Sequence, residues 1–128
     1  MVVQMLKSES SPLQDRSKQF ALRVIRLVEK LPNRRTGDVI GRQLLRASTS
    51  VGANYRAACR GRSRAEFCSK LGIVEEEADE CVYWLELVME SGLMKPRLVE
   101  DLHREATEIL KMVVASIKTA RSGSRSKS

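Results

Sequence analysis

Residues 38–60 read DVIGRQLLRASTSVGANYRAACR, and this stretch decides the fold. Six of its side chains fall on one side of a helix when successive residues are rotated by about 100°. They are Ile40, Leu44, Ala47, Val51, Tyr55 and Ala58. The opposite side is polar and rich in arginine. The pattern predicts a long helix that buries one face against other helices.

Helical signals also precede this stretch. Ser11-Pro12-Leu13-Gln14 combines a capping serine, a proline at the first helical position and a glutamine three residues after the cap, so we expect the first helix to begin there. Its apolar residues recur at three- and four-residue steps, at Leu13, Phe20, Val24, Leu27, Val28 and Leu31. Pro32 then ends the helix, because proline cannot continue it.

Two more helices are predicted after the central one. Gly61 is a stop signal, and Ser63-Arg64-Ala65-Glu66 is a capping box that starts a helix reaching about Glu90. The predicted inward residues of this third helix are Phe67, Leu71, Val74, Ala78, Cys81, Leu85 and Met89. A fourth helix begins near Pro96, with Leu98, Leu102, Ala106, Ile109, Val113 and Ile117 on its inward face.

Short connections between amphipathic helices favour antiparallel neighbours. The sequence therefore predicts an all-α, up-down-up-down four-helix bundle over residues 11–120, with a flexible N-terminus at 1–10 and a disordered basic tail at 121–128. A chain of 128 residues is the size of one domain.

Composition narrows the class of protein. No apolar run approaches the roughly 18 residues that span a bilayer, and the N-terminus lacks the pattern of a secretory signal. Cys59, Cys68 and Cys81 are an odd number without close pair spacing, which suits reduced thiols. We expect a cytoplasmic protein with no membrane association.

Several segments resemble the bacterial four-helix proteins encoded in intervening sequences of 23S ribosomal RNA. The resemblance rests on residues 43–54, with the pattern Arg46-Ala47-x-x-Ser50-x-x-x-Asn54, and continues through Gly61-Arg62-Ser63, Phe67, Lys70-Leu71, residues 77–80 and Gly92-Leu93. Residues 55–60, YRAACR, depart from the Ile-Ala-Glu-Gly-like run of relatives and add two arginines. The resemblance implies an antiparallel bundle that forms a ring-shaped homopentamer. More distantly it extends to accessory proteins of diversity-generating retroelements, which implies RNA and a reverse transcriptase as partners.

Charge is distributed unevenly along the chain. Residues 1–64 hold 14 Lys and Arg against 4 Asp and Glu, residues 65–110 hold 4 against 12, and residues 111–128 add 5 basic residues and no acidic ones. The basic segment includes the central helix, on which four arginines form one stripe: Arg42, Arg46, Arg56 and Arg60. On the helix projection they lie within about 40° of the direction of Arg42, and the stripe is about 27 Å long. Further arginines extend the stripe at both ends: Arg34, Arg35, Arg62 and Arg64.

Arginine suits phosphate because its planar fork makes paired hydrogen bonds, and released counterions favour binding at low salt. The stripe predicts binding to the RNA or DNA backbone, with little sequence preference because most aromatic residues fall on inward faces. A solvated face, or a face paired with acidic neighbours, is the alternative. A pure protein-interaction module, in which the basic face serves subunit assembly or an acidic partner, is the alternative function.

Another cluster lies on helix three, outside its core stripe. Ile73, Trp84 and Leu87 fall within about 60° of one another on the helix projection. An apolar patch beside glutamates indicates a subunit interface, or else a broader core-facing side.

Catalysis is not predicted. His103 is the single histidine, so the sequence offers little for a Ser-His-Asp or Cys-His arrangement, and Glu100 with His103 is the only Glu-x-x-His pair, whereas a di-iron bundle needs two. We expect no cofactor, no metal and no enzymatic activity.

Overall fold

The computed structural model describes the backbone of residues 2–126 and the side chains of residues 12–123. It contains four long helices: α1 (Val2–Glu29), α2 (Arg35–Cys59), α3 (Arg64–Glu90) and α4 (Glu100–Ser126). A short 3-10 turn, Pro96–Leu98, precedes α4. No strand occurs among the described residues, which confirms the all-α four-helix prediction.

The helices run antiparallel to their neighbours. Gly41, early in α2, lies against Val28, late in α1, whereas Gly52 lies against Ser17. Polar side chains join the remaining pairs: Arg46 with Glu77, His103 with Glu86, and Arg16 with Glu105. Among the described residues, the seam between α1 and α4 is packed much less extensively than the α1–α2, α2–α3 and α3–α4 seams.

One apolar core runs through the bundle. Its largest fully buried side chains include Tyr55, Phe20 and Phe67, and all six inward residues predicted for α2 are buried. Burial of a large apolar side chain stabilises the folded state by roughly 1.5–3 kcal/mol before conformational entropy is counted. The hydrophobic effect therefore selects this arrangement of the four apolar stripes.

The turns are set by local chemistry. The Ser63 hydroxyl accepts a hydrogen bond from the Glu66 backbone N–H at 3.1 Å, which confirms the predicted cap of α3. Gly37 packs in the first turn of α2, where a β-carbon would lie 2.4 Å from the Pro32 carbonyl oxygen. Gly92 ends the α3 region with a φ of 78°, a conformation that favours glycine.

Two inward positions were predicted wrongly by one residue. Leu98 is 58% exposed and Val99 is buried in its place, because the 3-10 turn before α4 changes the angular step between residues. In the last turn of α3, Val88 is buried and Met89 is half-buried. The α-helical projection is therefore reliable inside the helices and fails where they end.

The helix ends also differ from the prediction. The Ser11 capping pattern does not begin α1, which starts at Val2 and carries Pro12 inside it, since residues 2–10 contain no glycine or proline to stop the helix. Helix α4 continues to Ser126, into the segment predicted as a tail. The mobility of residues 1–10 and 121–128 stays a prediction, and Met1, Lys127 and Ser128 lie outside the described residues.

Candidate nucleic-acid interface

Seven of the eight predicted phosphate-binding arginines are exposed. They are Arg34, Arg35, Arg42, Arg46, Arg56, Arg60 and Arg62. The polar face of α2 therefore does project outward, as the helix projection requires. The structure does not leave all of these guanidinium groups free.

Arg46 is neutralised within the chain. Its Nη1 donates to the Glu77 carboxylate at 3.1 Å, and its Nη2 donates to Glu80, one turn further along α3. The charge of Glu77 and its hydrogen bond are the main causes that raise the pKa of Arg46. Arg46 consequently joins α2 to α3, and its assignment to a continuous phosphate-binding stripe is corrected.

The loss of Arg46 divides the stripe into two groups. The first lies at the beginning of α2, where Arg42 shares a groove with Glu29 and Asp38, so carboxylates reduce its local positive potential. Arg34 and Arg35 flank the same end of the helix.

The second group, here called the distal basic cluster, consists of Lys18, Arg56, Arg60 and Arg62. Lys18 of α1 and Arg56 of α2 line one groove of about 380 Å³ together with Gly52 and other small or polar residues. Arg60 caps the end of α2, and Arg62 follows in the turn before α3. Within the described part of the chain, none of these four cations forms an ion pair.

Arg64 does not join the distal basic cluster. Its side chain is half-buried against α4, where a β-carbon on Gly123 would lie 3.4 Å from its guanidinium carbon. The Arg64 Nε is buried without a hydrogen-bond acceptor among the described residues. This arginine therefore packs the seam between α3 and α4.

A further set of cations was missed by the sequence reasoning. Arg23, Arg26 and Lys30 on α1 face Lys95 and Arg97 across a cleft, here called the α1–α4 cleft. The spacing of the three α1 residues, i, i+3 and i+7, was a visible signal that they share one helix face. Their partners across the cleft could not be inferred without the packing of α1 against α4.

The three residues predicted to form a subunit interface do not lie together in one cluster. Trp84 and Leu87 are half-buried against the core, and Ile73, which is 39% exposed, lies about 16 Å from Trp84 along the helix axis. The ring of Tyr83, itself 54% exposed, meets Trp84 edge-on at 5.1 Å between centroids. Trp84 Nε1 is buried and has no acceptor among the described residues.

Val39 extends this apolar surface onto α2. The ion pair between Arg46 and Glu80 fixes the antiparallel register of α2 against α3. Val39 lies seven residues before Arg46, and Leu87 lies seven residues after Glu80, so helix geometry places the two side chains at the same level. Val39 is 53% exposed. From this register we group Val39 with Tyr83, Trp84 and Leu87, and we call this set the α2–α3 patch.

The side chains best suited to ligate a metal or act as nucleophiles lie in the seams between helices. No three His, Cys, Asp or Glu side chains among the described residues converge as a ligand set. His103 lies with its Nε2 3.0 Å from the Glu86 carboxylate, which joins α4 to α3. Burial raises the pKa of Cys81 to about 12, and the charges of Glu77 and Glu80 add to this effect. A thiol that stays protonated is a poor nucleophile.

The residues that carried the family resemblance have structural roles. Ala47 is fully buried, Asn54 Nδ2 donates to the Ser50 carbonyl at 2.9 Å, and Arg46 pairs with residues of the 77–80 segment. Arg46 of the motif therefore joins α2 to α3, and Asn54 contributes a hydrogen bond within α2.

No helix among the described residues is both long enough and apolar enough to cross a membrane. No curated protein matches the chain. A protein of unknown function from the S23 ribosomal protein family of Bacteroides thetaiotaomicron is similar in sequence and structure. The two chains are 39% identical over 82% of this chain and 97% of the other, with a TM-score of 0.77.

Similarity to accessory proteins of diversity-generating retroelements stays a prediction. The family model described as "23S rRNA-intervening sequence protein" matches residues 9–115, which include most of the bundle. Together with the solved relative, this match shows that the chain belongs to the 23S rRNA-intervening sequence protein family.

Proposed function

We propose that this protein is a non-catalytic helical scaffold that binds the phosphate backbone of RNA or DNA through the distal basic cluster. The observation that carries the proposal is the set of four exposed cations at one end of α2, none of them in an ion pair within the described residues. Three are arginines, which bind phosphate oxygens through paired hydrogen bonds.

The same surface supports backbone binding more than base recognition. Phe20, Tyr55 and Phe67 are each 1% exposed, so their rings cannot stack on bases. The exposed ring of Tyr83 lies on α3, outside the distal basic cluster. Binding should therefore depend on phosphate number and salt more than on sequence.

Charge variants test the proposal with a matched control. Replacing Arg56, Arg60 and Arg62 together with Gln should weaken binding of short labelled RNA and DNA strands at least about tenfold at low salt. The control is the same change at Arg34, Arg35 and Arg42, which removes equal charge from the other end of α2. Fluorescence anisotropy measures both.

Two results would overturn the proposal that the distal basic cluster binds nucleic acid. One is equal weakening in the two triple variants, which indicates attraction by net charge alone. The other is a parent protein that binds neither RNA nor DNA at low salt.

The α2–α3 patch supports a second proposal, that the scaffold works as a homo-oligomer, for which the family resemblance implies a pentamer. Val39 and Tyr83 are exposed apolar residues, and Tyr83 contacts Trp84, whose buried N–H lacks an acceptor among the described residues. Arg46 already pairs inside the chain, so the patch suits subunit contact better than the basic face. A reverse transcriptase partner stays a prediction.

Light scattering tests assembly. The parent should be a multimer, and Tyr83→Glu should reduce its mass toward that of one chain because a charge would be buried in the contact. Leu22→Glu, at an exposed position on α1, is the control. A monomeric parent contradicts the proposal.

A further inference from the structure

A cleft of about 680 Å³ opens where α1 faces the α3–α4 connection, at the opposite end of the bundle from the distal basic cluster. Its apolar lining includes Leu27, Leu93 and Leu102, which belong to the core, and Leu98, which is 58% exposed. The α1–α4 seam here is the least packed of the four seams between adjacent helices. The volume lies within the range of about 300–1,000 Å³ typical of binding clefts.

Cations stand on both sides of this apolar floor. Arg23, Arg26 and Lys30 lie within about 60° of one another on α1 and extend over about 10 Å of its length. Lys95 and Arg97 stand on the opposite side, on the α3–α4 connection. All five are exposed, and none forms an ion pair with a described residue.

One carboxylate also lines the cleft. Asp101 accepts a hydrogen bond from Arg104 at 2.7 Å, and Arg104 is not part of the lining. Five cations therefore border the aliphatic floor against one carboxylate that is already paired, so the positive charge is reduced only in part.

This arrangement matches an amphipathic helix better than a nucleic acid. No lining side chain is aromatic, and a phosphate backbone would leave the leucine floor unused. A helix with an apolar stripe between two rows of carboxylates would use both the floor and the walls. Burial of its apolar side chains would supply affinity, and the paired charges would fix its orientation.

We propose that the α1–α4 cleft docks an acidic amphipathic helix of a partner protein. The leucine-like side chains of that helix lie on Leu98 and the floor, and its carboxylates pair with Arg26 and Arg97 on the two walls. This site is independent of the distal basic cluster.

A synthetic helical peptide tests the site on the full chain. It carries a leucine stripe flanked on both sides by glutamates, and the control peptide has the same composition in scrambled order. The parent should bind the patterned peptide at least about tenfold more tightly than the scrambled one in calorimetry. Equal affinity for the two peptides, or no binding, overturns the proposal.

Two variants separate the contribution of the apolar floor to peptide binding from that of the basic walls. Leu98→Asp and the double change Arg26→Gln with Arg97→Gln should each weaken the patterned peptide about tenfold, while Lys111→Gln with Lys118→Gln, on exposed residues outside the cleft, should not. Circular dichroism verifies folding, which Leu98→Asp should preserve because that side chain is exposed.

RNA binding by the same variants distinguishes this site from the proposed function. Retained RNA affinity with lost peptide affinity supports a separate protein-docking cleft. Loss of RNA affinity in the Arg26 and Arg97 variant, with peptide affinity unchanged, overturns the proposal and assigns the cleft to nucleic acid.

Discussion

Raising the pH should destabilise this protein through Cys81. The Cys81 side chain is 0% exposed, and burial raises its pKa to about 12 from an ordinary 9.0, with Glu77 and Glu80 adding to the shift. Above pH 9 the unfolded chain loses the thiol proton and the native chain keeps it. The unfolded state then binds fewer protons, so the free energy of unfolding falls as the pH rises.

The two pKa values set the size of this effect. At pH 10 the thiol should lower the free energy of unfolding by about 1.4 kcal/mol, and the loss should grow by a similar amount per pH unit until about pH 12. Stability below about pH 8 should hardly depend on this group. Cys81 therefore affects stability only at alkaline pH, because its pKa is raised in the folded state.

Chemical denaturation of the parent and Cys81→Ala, from about pH 8 to about pH 10.5, isolates the thiol from other titrating groups. The variant should be less stable at neutral pH because it loses buried volume. Its stability should fall less steeply above pH 9, so the gap between the proteins should shrink by about 1.4 kcal/mol at pH 10. Parallel curves throughout that range would refute the reasoning.

Two other predictions concern packing and thiol access. Gly37→Ala should lower the free energy of unfolding by roughly 1–3 kcal/mol, because its β-carbon would meet the Pro32 carbonyl oxygen at 2.4 Å. Gly72→Ala lies in the interior of α3, where an added β-carbon would meet nothing within 4 Å, so it should raise the free energy of unfolding by about 0.5–1 kcal/mol. Urea unfolding measures both variants, and a Gly37→Ala protein more stable than Gly72→Ala would contradict this reasoning. A thiol reagent should modify half-buried Cys68 in the native protein and leave buried Cys59 and Cys81 unmodified until denaturant is added. Mass spectrometry counts the labels, and early labelling of Cys81 would be inconsistent with its burial.

Helix identity and most of the core could be predicted from periodicity alone. Each inward residue of α2 repeats at three- and four-residue steps, and the hydrophobic effect buries that face whatever the neighbours are. The Ser63 cap was predictable for a similar reason, since its hydrogen bond to Glu66 spans only three residues. Local chemistry was sufficient for these features.

The candidate site was less predictable because it depends on contacts between helices. A projection of α2 alone places Arg46 outward, and only the register of α2 against α3 brings it to Glu77 and Glu80. The α1–α4 cleft combines α1 with the α3–α4 connection, segments far apart in sequence. Single-helix patterns show which residues share a face, but not which residues of another segment that face meets.

The salt dependence of RNA binding tests the central claim most directly. If Lys18, Arg56, Arg60 and Arg62 each neutralise a phosphate of single-stranded RNA, a plot of log affinity against log salt concentration should have a slope of about −3. Arg60→Gln should reduce the steepness by about 0.7. A parent slope near zero, or a slope that Arg60→Gln leaves unchanged, would contradict binding at this end of α2.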